Sequence, residues 1–321
     1  MKDQTNDTKD RTGDTFEKLK TGFAALNARF RIVSTAHLEE CRDAIEKLRD
    51  ERVVSDQFYA EYLGSFEFKK PEALPESCSI IVIAIPQPTS VIDVTFKGRH
   101  VRAIIPPTYL YKEIREACTK ILSDALSITG GELARARLPL KLLAARSGLG
   151  RYGRNDISYV DGMGSFHRLE AFYTDYEFGI DAWQEVSMMG SCTGCSLCME
   201  SCPTGCIPGE RMLVDAERCL TYLNENESDI PTWVNPRWHN ALIGCMRCQI
   251  ICPENRDFIR DRDKVERFTE EETELILNRV PAKDLPNELS AKLGRLGIEE
   301  LFPLLARNLA ALLKLSDKDR S

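Results

Sequence analysis

The sequence predicts a mixed α/β (α+β) protein: an N-terminal α/β body, a cysteine-rich module and a short helical end. Three observations carry this prediction. Residues 79–85, Ser-Ile-Ile-Val-Ile-Ala-Ile, form a continuous β-branched run stopped by Pro86, as in a strand buried on both faces of a sheet. Stripes of apolar residues three and four apart flank that run on both sides, as helices require. Between residues 192 and 253 the cysteines fall into metal-binding spacing.

Taken in order, residues 1–14 are polar and predict a disordered tail. Leu19, Phe23, Leu26 and Phe30 mark one helical face, and Leu38, Cys41, Ile45 and Leu48 mark another, which places Cys41 in the core. Residues 70–76 form a proline-punctuated linker into the buried strand. Residues 91–95 and 99–105 predict strands about a Lys97-Gly98 turn, ended by Pro106-Pro107. Residues 111–126 are helical, with Ile114, Cys118, Ile121, Leu122 and Ala125 on one face, and Gly130-Gly131 closes them. A helix over 138–146 stops at Gly148, and 157–160 reads as a strand. Residues 255–279 are charge-rich and predict a solvated helix. Residues 289–315 are helical, with breaks expected at Gly294 and Pro303. The expected units are a tail at 1–14, an α/β domain at 15–180, the cysteine module at 181–260 and a helical segment at 261–321.

The chain has 321 residues, 43% hydrophobic, which suffices for a real core. A net charge of −7 argues against general attraction to nucleic acid or anionic membranes. No apolar stretch reaches membrane-span length, and no hydrophobic export segment follows Met1. The expectation is a cytoplasmic protein whose twelve cysteines bind metal rather than form disulfides.

The first cysteine run is Cys192-x2-Cys195-x2-Cys198-x3-Cys202-Pro203, the ferredoxin pattern in which three thiolates hold one cubane and the fourth crosses to another. The second run, Cys245-x2-Cys248-x3-Cys252-Pro253, is one cysteine short, and Cys219 can make up the deficit. This assigns Cys192, Cys195, Cys198 and Cys252 to one [4Fe–4S] cluster, and Cys202, Cys219, Cys245 and Cys248 to a second. Cys206 is an alternative to Cys219. Zinc is the rival reading, since paired CxxC units also build zinc ribbons, but tetrahedral zinc needs no crossover run. The module is therefore expected to be ferredoxin-like, with a short helical segment after it.

Gly148-x-Gly150-x-x-Gly153 matches GxGxxG, but a helix precedes it and a strand follows. That reverses the dinucleotide-binding context, so the glycines are read as allowing close approach of another large ligand.

Several stretches together resemble the epoxyqueuosine reductase family, relatives of the reductive dehalogenases. They are Lys-Pro-Glu-Ala-Leu-Pro at 70–75, Ala-Arg-Ser-Gly-Leu-Gly at 145–150 with Gly153-Arg-Asn155, Gly164-Ser-Phe166, Thr174-Asp175, and the paired cysteine runs with Cys219. The resemblance spans roughly residues 60–255. It implies that the α/β domain is of cobalamin-binding type, holding a base-off corrinoid that takes electrons from the two clusters. It also implies that Gly148, Gly150, Gly153 and Asn155 lie against the corrin, with Gly164 and Ser165 lining the same pocket. The family's aspartate shortly before the glycine loop has no counterpart, since residues 134–141 contain no acid. The candidate proton donors are then Tyr109, Tyr111 and Tyr152, with His167 weighed as donor or cobalt ligand. Arg146, Arg151 and Arg154 are candidates for neutralising anionic groups.

Three functions follow: a cobalamin-dependent reductase of unassigned substrate, a two-cluster electron carrier without corrinoid, or a tRNA epoxyqueuosine reductase with a relocated acid. The expected partners are an external electron donor such as a ferredoxin or flavodoxin, and a small-molecule or modified-nucleoside substrate. tRNA is weighed as a further partner, and no membrane is expected.

Overall fold

The computed structural model describes residues 4–127, 130–209, 213–259 and 262–316. In chain order the elements begin with α1 Gln4–Ala25, β1 Arg29–Ser34, α2 Leu38–Asp50, the single turn α3 Asp56–Phe58, β2 Ser79–Pro86, β3 Thr89–Phe96 and β4 Arg99–Ile105. There follow α4 Tyr111–Leu126, β5 Leu133–Arg135, α5 Leu140–Arg146, β6 Arg151–Tyr152, β7 Ser158–Tyr159 and β8 His167–Thr174. Short helices α6 Leu197–Ser201, α7 Leu220–Glu225 and α8 Arg247–Ile250 belong to the cysteine module. The chain continues through β9 Arg262–Phe268, α9 Glu270–Leu277, α10 Asn287–Leu296 and α11 Phe302–Ser316.

The main sheet has the order β1-β2-β8-β5, and every neighbouring pair is antiparallel. Its centre, β2, is buried on both faces. Ile81 and Ile83 pack with Ile32, Phe172 and residues of α1 and α4, while Ile80, Val82 and Ala84 pack with Ala171, Tyr173 and residues of α2 and α5. The unbroken apolar run therefore reports helices on both faces, as expected, although the strands are not parallel. Each fully buried isoleucine or valine of β2 contributes about 1.5–3 kcal/mol.

A second sheet, β4-β3-β9, pairs the β3–β4 hairpin with β9 in parallel. The hairpin turns at Lys97 (φ 49°) and Gly98 (φ 72°), two left-handed residues that match the twist of the flanking strands. Ile92, Val94, Ala103 and Ile105 pack under Leu289, Leu293, Leu305 and Leu309 of α10 and α11. Leu242 and Ile243 share this core, and Leu242 N–H bonds Ile104 O at 3.1 Å. The second cysteine run thus starts from a fixed point on β4.

Several expectations are corrected. Residues 4–14 are not a tail: they belong to α1, because a helix anchored by buried Leu19 and Phe23 extends at little cost. The helical stripe ends before Phe30, which lies in β1, a strand hidden by chance three-and-four spacing. Residues 262–268 form β9 rather than a solvated helix; the open edge of β3 and burial of Phe268 outweigh the charged composition. The segment 261–321 therefore contributes a strand as well as helices. Gly294 lies within α10, and the break falls at Gly297, whose φ of 70° ends the helix in the left-handed conformation. Pro303 sits in the first turn of α11, where its missing N–H costs nothing.

Candidate redox and substrate site

The cysteines gather at the face of the module that meets the body. Cys198 faces Cys192, Cys195 and Cys252; burial first, then these neighbours, push its thiol up. Cys248 faces Cys245 and Cys219 and is likewise pushed up, chiefly by burial. Cys206 Sγ lies 3.4 Å from Cys202 Sγ and also reaches Cys219. Its hydrogen bond is the first cause lowering Cys202, to about 5. Among the described residues no three His, Cys, Asp or Glu side chains converge as a single metal ion would demand. The donor set is instead two gatherings of thiols, one around Cys198 and one around Cys248, which suits polynuclear clusters that spread their thiolates over several irons. Cys41 and Cys118 are remote from both, buried in the two faces of the main sheet, and burial raises each thiol to about 12.

A polar lock joins module and body. Asn255, fully buried just after the last cysteine, accepts from Ser165 N–H at 2.9 Å. Its Nδ2 donates to Ser165 Oγ at 2.8 Å and to Gln249 O at 2.9 Å. Ser165 Oγ then donates to Gln249 Oε1 at 2.8 Å. Nearby, Asn155 Nδ2 donates to the Tyr159 hydroxyl at 3.1 Å, and that hydroxyl reaches Cys252. Arg154 donates to Cys192 O at 2.9 Å and Gly209 O at 3.0 Å.

Between body and module lie two adjoining cavities, of about 330 Å³ and 270 Å³. Both are lined by Lys141, Ile157, Thr221, Glu225, Cys245 and Gln249, so they form one cleft. Cys202, Cys206, Cys219 and Cys248 wall one side. Tyr109, Ser165 and His167 lie at the other.

At that end Tyr109 OH donates to Glu225 Oε1 at 2.5 Å. Burial, then the Glu225 charge, hold the Tyr109 hydroxyl well above its usual range, and burial raises the Glu225 carboxyl. The C-terminal helix sets this pair: Arg307 donates to the carbonyls of Leu223 and Asn224, and Asn308 Nδ2 to those of Asn224 and Leu242, each at 2.9–3.2 Å. His167 is buried beside the cleft; burial lowers it to about 4, against a partial opposing effect from Gly164 O at 3.2 Å.

The structure separates the other expected residues. Tyr111 donates to Glu300 and lies on a neighbouring cavity, and Tyr152 lines a third cavity of about 590 Å³. Asn155 and Ser165 do line the cleft. Gly148, Gly150, Gly153 and Gly164 line none of the described cavities. A Cβ at Gly150 would meet Ser158 Oγ at 2.9 Å and Tyr159 O at 3.0 Å, and one at Gly164 would meet Asn255 Oδ1 at 2.5 Å. At Gly150 and Gly164 a bare backbone is therefore needed for packing within the protein. Arg146 and Arg151 pair with Glu40 at 2.8 Å and Asp161 at 2.9 Å, and Arg154 is held as above, so none reaches into the cleft. Glu225, Gln249, Lys141 and Thr221 were missed. Gln249 carried a signal in its place within the second cysteine run; the lone Glu225 carried none.

Fold and site together define the class: a mixed α/β protein carrying an iron–sulfur module. Residues 191–255 match the family model described as a 4Fe-4S double cluster binding domain. More particularly, the chain resembles the epoxyqueuosine reductases in sequence and in fold. It is 26% identical over 233 residues to the epoxyqueuosine reductase of Bacillus subtilis, covering 67% of this chain and 58% of that protein. To the Yersinia pestis enzyme it is 38% identical over 115 residues, covering 36% of this chain and 27% of the relative. The chain thus aligns with less than two thirds of the length of either. The structure of epoxyqueuosine reductase from Streptococcus thermophilus superposes with a TM-score of 0.64 at 20% identity, covering 91% of this chain and 78% of that one. An epoxyqueuosine reductase solved with a tRNA-Tyr epoxyqueuosine-modified stem loop gives 0.64 at 18%, covering 96% and 82%. No helix among the described residues is long and apolar enough to cross a membrane.

Proposed function

We propose that this chain is a cobalamin-dependent iron–sulfur reductase of the epoxyqueuosine reductase type, acting on a substrate still to be assigned. The observation that carries the reading is the cleft itself: thiols of the second cysteine gathering line it, and a tyrosine–carboxyl pair lines it beside Cys245. In this reading Cys192, Cys195, Cys198 and Cys252 hold one [4Fe–4S] cluster, and Cys202, Cys219, Cys245 and Cys248 hold the other. The cleft's mixture of apolar Ile157, Leu140 and Leu169 with polar Lys141, Thr221 and Gln249 fits a flat macrocycle edged with amides. When bound, the corrinoid supplies a low-potential metal centre for the reduction.

The chain's own residues do the rest. Asn155, Ser165 and Gln249 line the cleft; Asn255 holds Ser165 and Gln249, and Tyr159 holds Asn155. The glycine loop shapes Asn155 and Tyr159 from behind. Tyr109 is the proton donor: Glu225 orients its hydroxyl, and the pair takes the place of the acid missing before the glycine loop. Tyr111 and Tyr152 lie on other cavities and are set aside for that role. A ferredoxin or flavodoxin serves as electron donor, and tRNA is a substrate to be tested because a relative was solved with a tRNA stem loop.

The test is anaerobic purification and reconstitution with iron, sulfide and cobalamin. The expected result is about eight irons and one cobalt per chain, from the two-cubane assignment. Iron and cluster absorbance with no cobalt uptake would leave an electron carrier, and zinc in place of iron would end both readings.

A further inference from the structure

Beside the cleft lies a cavity of about 540 Å³ lined by Thr108, Tyr109, Tyr111, Arg115, Arg135 and Arg168, among others. Three guanidiniums crowd one carboxylate there. Glu170 is 1% exposed, and Arg168, Arg115 and Arg135 place Nε at 3.4, 3.6 and 3.7 Å from its oxygens. Arg168 is otherwise committed, donating to Thr108 O at 3.0 Å and Thr108 Oγ1 at 3.1 Å. Arg115 and Arg135 are not. Among the described residues neither has a side-chain hydrogen bond within range, and Arg115 Nε is a buried donor without an acceptor. Arg115 and Arg168 both approach the Tyr111 ring, with Cζ atoms 5.3 and 5.6 Å from its centre.

The other charges facing this cavity do not cancel the excess. Glu300 is paired with Lys112 at 3.0 Å and accepts from Tyr111. Glu225 is engaged by Tyr109, and its burial favours the neutral form. Three positive groups thus oppose Glu170, and two of them retain free donors. Planar guanidiniums with unused donors suit a multiply charged oxyanion better than a single carboxylate. The volume is that of a small-molecule site.

We propose that this cavity binds the phosphate group of a phosphorylated small-molecule substrate, with Arg115 and Arg135 as its direct partners. The proposal rests on the reading of the cleft as the reaction site: Thr108, Tyr109, Arg168 and Glu225 line both spaces, so a phosphate held here directs the rest of its molecule toward Tyr109.

The experiment is calorimetric titration of the full-length, iron-loaded protein, without corrinoid, using inorganic phosphate, adenosine 5′-monophosphate and adenosine. Phosphate and the nucleotide should bind, and adenosine at least about tenfold more weakly than the nucleotide, the value of a charge-assisted contact. Arg135→Gln leaves Glu170 with two arginines, so the fold should persist, as unchanged circular dichroism and cluster absorbance would show. It should weaken nucleotide binding about tenfold, whereas Arg151→Gln, which removes the remote pair with Asp161, should not. Nucleotide binding indifferent to Arg135, or equal binding of adenosine, would overturn the proposal. So would an RNA hairpin bound in an Arg135-dependent manner while phosphate and nucleotide are not. Because no corrinoid enters this assay, failed cobalt uptake refutes the proposed function separately, and failed phosphate binding refutes only this site.

Discussion

Replacing Asn255 by alanine tests whether the module is locked to the body by one side chain. Asn255 is 0% exposed and makes three hydrogen bonds, two across the junction to Ser165 N–H and Ser165 Oγ and one within the module to Gln249 O. Alanine removes all three. Ser165 Oγ keeps its bond to Gln249 Oε1, so the orphaned groups are Ser165 N–H and Gln249 O. Leaving a buried polar group unsatisfied costs about 1–3 kcal/mol each, so the loss should be about 2–6 kcal/mol, a large part of a typical fold's stability. At roughly 2–4 °C per kcal/mol for a large domain, the melting temperature should fall by about 10 °C. The assay is anaerobic thermal unfolding of the iron-loaded protein followed by circular dichroism. Asn255→Asp provides the contrast, because it keeps the acceptor for Ser165 N–H while losing both donors. A melting temperature for the alanine variant within a degree or so of the parent would refute the lock, since the junction would then be held by packing alone.

Gly297→Ala should destabilise by about 2–4 kcal/mol, because its φ of 70° disfavours a side chain and the new Cβ would stand 2.5 Å from Tyr109 O. Altered tyrosine absorbance on alkaline titration would show that Tyr109 moves with it. His167 is held at about 4 in the folded state against 6.5 when free, so the unfolded chain takes up its proton first. Its contribution is therefore full above pH 6.5 and lost as pH falls from 6.5 through 4, by about 3 kcal/mol, and His167→Gln should flatten that slope in urea melts. Cys195→Ser and Cys219→Ser should each cost about half the iron and destabilise the module, while Cys206→Ser should leave the iron count intact; iron lost with Cys206→Ser and kept with Cys219→Ser would exchange the roles of Cys206 and Cys219.

Much of the local structure was legible in the residues themselves. The strand at 79–86, the hairpin about Lys97-Gly98 and the helix at 111–126 lie where apolar spacing and turn chemistry put them, because each buries a face its own period defines. The cysteine runs were legible because thiolate spacing answers to metal geometry rather than to the rest of the fold. What misled was context. Phe30 continued a helical rhythm yet belongs to a strand, and residues 262–268 look solvated until the free edge of β3 is known.

The sequence by itself determined the double-cluster module and the layered α/β body, since both follow from short-range spacing. Only the tertiary structure decided that the sheet is antiparallel, that Tyr109 meets Glu225 across 116 positions, and that Arg115, Arg135 and Arg168 share one buried carboxylate. The glycine loop shows the same division. Its pattern suggested a surface for a ligand, and only the folded chain showed that Ser158, Tyr159 and Asn155 pack closely against Gly150 and Gly153. The physical reason is common to all of these cases: hydrophobic period and ligand spacing are local quantities, whereas the partner of a lone polar group depends on which distant segment burial brings beside it.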